Sequence, residues 1–245
     1  MKSIGITVAI EFDQLAETYG AKDDIYMEGC YKIFTIKREN CQLIFLQTGP
    51  GEIQAAAGTQ YLIGKHNPQF IVNFGVCGGL DDTIEKGHIC IVDCLVHTDY
   101  DISMASNEKH NIKEGQYMGL SSERIYLDRK LNDRIEESFR EILHKNTFGH
   151  NSGILKRVAC ASQDKLIVTD EKRINVGQRW KCQICDMELA GCALIALKNR
   201  VPIVSVKIVS DSLKNGIDDI EAWALEFQRK AAMFKTVMED ISRHI

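Results

Sequence analysis

Two periods of apolar side chains divide this chain into elements. Residues 4–10 (IGITVAI), 69–76, 88–96, 153–162 and 203–209 are short, largely apolar runs, as expected of strands covered on both faces. Residues 26–47 instead alternate polar and apolar side chains, which predicts two antiparallel strands joined near Glu39 and Asn40. Elsewhere the spacing shifts to threes and fours. Ile53, Ala56, Ala57, Tyr61 and Leu62 predict a helix over 52–65, and Leu131, Ile135, Phe139 and Ile142 predict one starting at Asp128. Residues 13–19 and 169–177 read as further helical pieces. A long last helix carries Ile220, Trp223, Phe227, Ala231, Phe234, Met238 and Ile241 along one stripe. The alternation describes an α/β chain, in which ligands gather at the carboxyl ends of parallel strands.

The stretch 183–212 organises the rest. Asp186-Met187-Glu188 opens a helix that is apolar on every face from Leu189 to Leu197, residues 199–202 break it, and the strand 203–209 ends in Ser210-Asp211-Ser212. Two carboxyls, Glu188 and Asp211, therefore share one wall. Glu11 and Asp13 follow the first strand and supply a second acidic lead, beside the plainer reading of a solvated helix start. Gly75 to Gly79 closes another strand, which suits close ligand approach or a simple turn. The glycine turn 48–51 could cradle an anion, although Glu52 already places a negative charge there and favours an ordinary helix start. Turns are expected at 147–152 and 214–216. Residues 102–121 read as a long polar loop, of the kind used as lids or interface segments.

Composition narrows the function classes. The chain has 245 residues, 44% hydrophobic and 26% charged, with a formal net charge of -4, so it lacks the general pull of a basic protein on nucleic acid or anionic membrane. Its 245 residues are expected to form one domain. No window approaches a membrane span and the N-terminus starts directly as a strand, which leads to the expectation of a cytoplasmic protein. The 9 cysteines are scattered and mostly sit in apolar runs, so they read as structural thiols. Cys182 and Cys185 form a lone CxxC, a weak zinc or redox signal. His97, Asp99 and Asp101 alternate along an extended segment without converging, so no metal site is assigned.

Taken together, AIEFD, TGPGEIQAAAGTQYLI, VNFGVCGGLDDTIEKGHICIVD, DMELAG and VPIVSVKIVSDS occur in an order that resembles the nucleoside phosphorylase and nucleosidase superfamily, most closely its methylthioadenosine/S-adenosylhomocysteine nucleosidase branch. The resemblance implies a three-layer α/β/α sandwich around a mixed sheet, a homodimer, no cofactor, and hydrolysis of a purine nucleoside's N-glycosidic bond. By the same resemblance Asp211, beside Ser210, protonates the leaving base, its own proton favoured by burial. Glu188 accepts the ribose hydroxyls over Met187 and beside Asp186, and Asp13 activates water. Gly78, Val76, Leu166 and Ile167 match substrate-contacting positions.

The chain departs from that pattern at several places. Asp13 is one methylene shorter than the corresponding glutamate, Val76 replaces a small hydroxyl residue, Leu166 stands where an aromatic stacks on adenine, and Lys207 replaces an arginine. Asn73 stands where phosphorylases place a phosphate-binding arginine, and 10–36 contains no arginine. Phosphate is normally gripped by guanidinium forks, so water fits better as the nucleophile. The alternatives are a phosphate-dependent phosphorylase and a non-catalytic nucleoside binder.

Overall fold

A computed structural model describes residues 2–106, 111–145, 154–213 and 220–243, with side chains in the last helix from Phe227 onward. The turns expected at 147–152 and 214–216, and the side chains of Ile220 and Trp223, lie outside the described residues.

Among the described residues ten strands form one mixed sheet. They are β1 (Lys2–Val8), β2 (Tyr26–Glu28), β3 (Tyr31–Lys37), β4 (Cys41–Gln47), β5 (Phe70–Gly79), β6 (Ile89–His97), β7 (Ile125–Tyr126), β8 (Leu155–Ser162), β9 (Ile184–Asp186) and β10 (Ile203–Asp211). The helices are α1 (Phe12–Tyr19), α2 (Glu52–His66), α3 (Arg129–His144), α4 (Asp170–Trp180), α5 (Leu189–Asn199) and α6 (Ile220–Arg243). Parallel pairing joins β4 to β1, β1 to β5 and β5 to β10, so the carboxyl ends of β1, β5 and β10 fall on one edge.

The helices pack in two groups. Phe12, Leu15, Ala16 and Tyr19 of α1, Ile135 and Phe139 of α3, and Phe234 and Met238 of α6 join Ile4, Ile6, Val8, Val204 and Val206 in the larger core. Ala55 of α2 and Leu189, Ala193 and Ala196 of α5 join Ile71, Val92 and Ile203 in the second. The stripes expected of α3 and, from Phe227 onward, of α6 are these buried faces. That of α2 is not: Ile53 is 80% exposed and the helix buries Ala55, Thr59, Leu62 and Ile63 instead, because α5 packs against the face that carries its small residues. Asp128 caps α3 by accepting the Leu131 N–H at 2.9 Å, as its position before the stripe suggested.

The sheet differs from the expected sandwich in closing on itself. Because β5 pairs with β10 as well as β9, the strands β10, β6, β8, β9 and β5 form a ring, from which β1, β4, β3 and β2 extend. Twist accumulates across a sheet, and β9, only 3 residues long, is enough to join β8 to β5 and complete the circuit. The strands β2, β7 and β9 were not evident in the sequence; each has 2 or 3 residues, too few to show a period. The 102–121 segment is largely turn and loop where described, with one 3-10 turn at Ser103–Ala105.

Candidate active site

The ends of β1, β5, β9 and β10, together with the segment after β8, surround a cavity of about 160 Å³. Glu11, Val76, Gly78, Leu166, Ile167, Asp186, Met187, Glu188, Ser210 and Asp211 all line it. Each acid reaches it by a different local device.

Asp211 reaches the cleft through a break in the β10 ladder. Val209 pairs with Cys77 and Asp211 with Gly78, leaving Ser210 as an extra residue. A bulge of this kind re-aims side chains, and Ser210 and Asp211 both open on the cleft although neighbours on a regular strand would face opposite ways. Ser210 Oγ lies 2.6 Å from Asp211 Oδ2 and 3.2 Å from the Cys77 carbonyl oxygen. The other carboxyl oxygen, Oδ1, forms an ion pair with Arg173 of α4. Arg173 is 2% exposed and donates to the Gly79 carbonyl at 3.2 Å, so its guanidinium is anchored on both sides. Burial of Asp211 was expected; its ion pair with a buried guanidinium was not. A side chain at Gly78 would crowd this pair, because a Cβ there would stand 3.2 Å from Asp211 Oδ1 and 3.3 Å from Arg173 Nη1.

Glu188 sits at the head of α5. Its Oε1 accepts the Gly51 N–H at 3.2 Å and its Oε2 the Met187 N–H at 3.3 Å. Gly51 has φ 96, a left-handed value that suits glycine and turns its N–H toward Glu188. Burial raises the Glu188 carboxyl to about 7, with Asp186 adding to the rise and Lys207 opposing it. Asp186 is itself fully tied. Oδ2 meets Lys207 Nζ at 2.7 Å and the Leu189 N–H at 3.0 Å, and Oδ1 accepts from Ser162 Oγ at 2.6 Å. Lys207 is 1% exposed; burial disfavours its charge, but Asp186 and Glu188 outweigh that and hold it above its ordinary value.

Asp13 does not join these groups. It lies on the outer side of α1 with its side chain 57% exposed and pairs with Lys32 at 3.6 Å. Glu11 takes the place expected of it. Glu11 is 2% exposed, accepts the Val76 N–H at 3.0 Å and the Ile10 N–H at 3.1 Å, and is raised by burial, with its backbone hydrogen bonds and Lys207 pulling the other way. The reason is helical phase. Phe12, Leu15, Ala16 and Tyr19 form the buried stripe of α1, and Glu11 is in register with that stripe whereas Asp13 is out of it. The sequence held that signal. It held none for Arg173, the one buried residue of an otherwise exposed or half-exposed α4.

The remaining expectations sort by contact. Leu166 is 68% exposed at the mouth while Ile167 is buried. Val76 contributes its backbone N–H to Glu11. Asn73 is buried away from the cleft, where its Oδ1 accepts from Ser205 Oγ at 3.1 Å. His97, Asp99 and Asp101 diverge, to Tyr117, Lys165 and the Ser103 N–H respectively. Among the described residues no cluster of His, Cys, Asp or Glu is arranged to hold a metal. Cys182 and Cys185 are buried free thiols, both pushed by burial to about 12. No described helix is long and apolar enough to cross a membrane.

The family model described as "Phosphorylase superfamily" matches residues 3–243. The chain belongs to that superfamily. Among relatives, a 5'-methylthioadenosine/S-adenosylhomocysteine nucleosidase of Staphylococcus haemolyticus is 25% identical over 190 residues, spanning 77% of this chain and 76% of its own length. Two Helicobacter pylori structures share the phosphorylase superfamily fold at full length. A 5'-methylthioadenosine/S-adenosylhomocysteine nucleosidase aligns with TM-score 0.82 and 21% identity over 98% of this chain and 99% of its own. A futalosine hydrolase aligns with TM-score 0.82 and 20% identity over 98% of each chain. Within the phosphorylase superfamily, then, this chain resembles hydrolases of two different names.

Proposed function

We propose that the cleft hydrolyses the N-glycosidic bond of a purine nucleoside of the methylthioadenosine or adenosylhomocysteine type, releasing free base and a ribose derivative. The observation that carries this reading is that three acids, Glu11, Glu188 and Asp211, line one cavity, each held by its own partners. Cleavage passes through an oxocarbenium-like sugar, which calls for a protonated leaving base, a grip on the sugar and an activated nucleophile.

Asp211, oriented by Arg173 and next to Ser210, takes up a proton from solvent on Oδ2, the oxygen not paired with Arg173, as substrate binds, and passes it to the base nitrogen as the bond to C1′ breaks. Glu188 accepts the ribose hydroxyls above Met187, and its negative charge favours the cationic ring. Glu11 takes a proton from water as the oxygen attacks C1′. Burial raises Glu11, and a carboxylate made more basic in this way is the stronger proton acceptor. Asp186 with Lys207 supports the Glu188 wall, while Gly78, Val76, Leu166 and Ile167 bound the substrate.

Hydrolysis rather than phosphorolysis is supported by the cations. Arg173 and Lys207 are both occupied by carboxylates. The lining cation, Lys165, lies 2.5 Å from Asp99. None of these offers phosphate a free guanidinium fork. The accompanying proposals are a single α/β domain, a homodimer, and a cytoplasmic place in purine and methionine salvage.

The test is incubation with methylthioadenosine, adenosylhomocysteine, adenosine, inosine and futalosine, with and without phosphate, reading free base. Phosphate-independent release from a thio-substituted adenosine is the expected result. Release that requires phosphate, or release from futalosine alone, overturns the assignment. The futalosine arm is included because a futalosine hydrolase shares this fold over 98% of its chain and because Leu166, 68% exposed, offers no ring to an adenine.

A further inference from the structure

Behind the cleft, side chains from three elements meet around a single hydroxyl. Ser162 Oγ, at the end of β8, stands 2.5 Å from Glu52 Oε1 in the first turn of α2 and 2.6 Å from Asp186 Oδ1 at the end of β9. It also accepts the Ala190 N–H at 3.0 Å. A serine hydroxyl has one hydrogen to donate. If both carboxyls were ionised, one of these short oxygen contacts would have no proton in it and two lone pairs would face each other. One carboxyl therefore carries a proton of its own.

The surroundings decide which. Asp186 has the Lys207 ammonium at 2.7 Å and the Leu189 N–H at 3.0 Å on Oδ2. Glu52 Oε2 accepts the Gly191 N–H, and no cation pairs with Glu52 among the described residues. We propose that Glu52 is a positioning residue held as a neutral acid, its proton completing the relay Glu52 to Ser162 to Asp186 and so fastening the head of α2 to the head of α5.

The charges around it agree. Burial raises Glu52 to about 8, with Asp186 and then Glu188 contributing to the rise. The titratable groups facing it are Asp186 of β9, Glu188 at the start of α5, Cys192 within α5, and Tyr117 from the 102–121 segment. Asp164, beyond β8, accepts the Glu52 N–H at 2.8 Å. Lys207 of β10 is committed to Asp186. Losing the Glu52 proton would add a charge beside Asp186 and Glu188 and make the Ser162 contact repulsive. The strain falls on the adjoining residue, Gly51, whose N–H holds Glu188 Oε1 at 3.2 Å. For activity, a consequence that rests on the nucleosidase reading above, ionising Glu52 loosens the carboxyl that grips the sugar.

The experiment compares wild type with Glu52→Gln, whose amide keeps the shape and a donor toward Ser162 but cannot ionise. A folded carboxyl raised from 4.5 to about 8 gives stability that is complete below 4.5 and is lost as pH rises to about 8. The melting temperature of wild type is thus expected to fall relative to the variant across that window and then to keep a constant gap. Parallel curves overturn the proposal. Should the amide variant not fold, Glu52→Met, equally unable to ionise, answers the same question.

In activity, wild-type kcat/KM is expected to drop about tenfold per pH unit on the alkaline side of Glu52, as for loss of one essential proton. Glu52→Gln should hold its neutral rate across that range, and Glu52→Ala should lose rate at every pH. An unchanged alkaline limb in Glu52→Gln overturns the positioning role. Melting needs no substrate, so a difference in melting without any base release sinks the nucleosidase reading while leaving the neutral acid in place.

Discussion

The two ends of the cleft are built on opposite electrostatic plans. At the Asp211 end one acid faces one buried guanidinium, itself pinned to the Gly79 carbonyl. At the Glu188 end Glu11, Asp186 and Glu188 share Lys207, Glu52 stands beside Asp186 and Glu188 with no ion-pair partner among the described residues, and burial raises Glu11, Glu52 and Glu188. The first plan fixes a direction, since a planar guanidinium admits few arrangements of a carboxylate. The second stores protons, since acids that outnumber their cation ionise at the expense of one another.

The comparison can be broken most severely by removing an acid to which the proposed reaction assigns a proton transfer. Asp211→Asn or Glu11→Gln is expected to lower kcat by on the order of 10²–10⁴, the usual reach of a positioned acid or base. Steady-state release of base measures it, and a near wild-type rate in either variant would remove that residue from the mechanism. The two differ in stability: Asp211→Asn leaves Arg173 buried without its counter-charge and is expected to melt earlier than Glu11→Gln.

Next come the cations. Arg173→Met and Lys207→Met each strand a buried carboxylate, an effect of about 3–5 kcal/mol in denaturant unfolding. The loss for Lys207→Met is expected to grow with pH as its crowded acids ionise, and a loss independent of pH would contradict the storage plan. A smaller effect is expected of Glu188→Gln. Glu188 is raised from 4.5 to about 7, so its share of stability is full below 4.5 and lost as pH rises to about 7; the variant should flatten unfolding free energy over that window.

Gly191→Ala tests how tightly the Glu188 wall is packed. A Cβ there would collide with the Glu52 carbonyl oxygen, and overpacking of this sort costs about 1–3 kcal/mol. Smallest of all, Asp13→Asn removes a surface ion pair and should change stability by less than about 1 kcal/mol. Its turnover should match wild type, and a large loss would return Asp13 to the site in place of Glu11.

What the sequence disclosed and what it hid follow from range. Strands buried on both faces and helices with a long apolar stripe state their environment in their own residues, which is why β1, β5, β6, β10, α3 and α6 were legible. The helix α2 was legible as a helix but not in its buried face, which carries small and polar residues such as Ala55 and Thr59. So were Glu188 and Asp211, because strand ends are where acids gather in such sheets. Ring closure through β9 depends on pairing between distant segments, which no local period records. Arg173 looks like any charged residue of a polar helix until the fold sets it against Asp211. Asp13 was a misreading of a signal that existed, since the stripe of α1 puts Glu11 inward. Asn73 was read by position along β5 without regard to which face of the strand it occupies.

Ser210 is the odd residue in its ladder, matched by nothing across from it on β5. Deleting it would let the hydrogen-bonding rungs close up in even steps, and the sheet would be tidier for the change. The acid that follows would then lose the re-aiming that the extra residue gives it toward the cleft. In this chain an imperfection of one residue decides which way an acid faces.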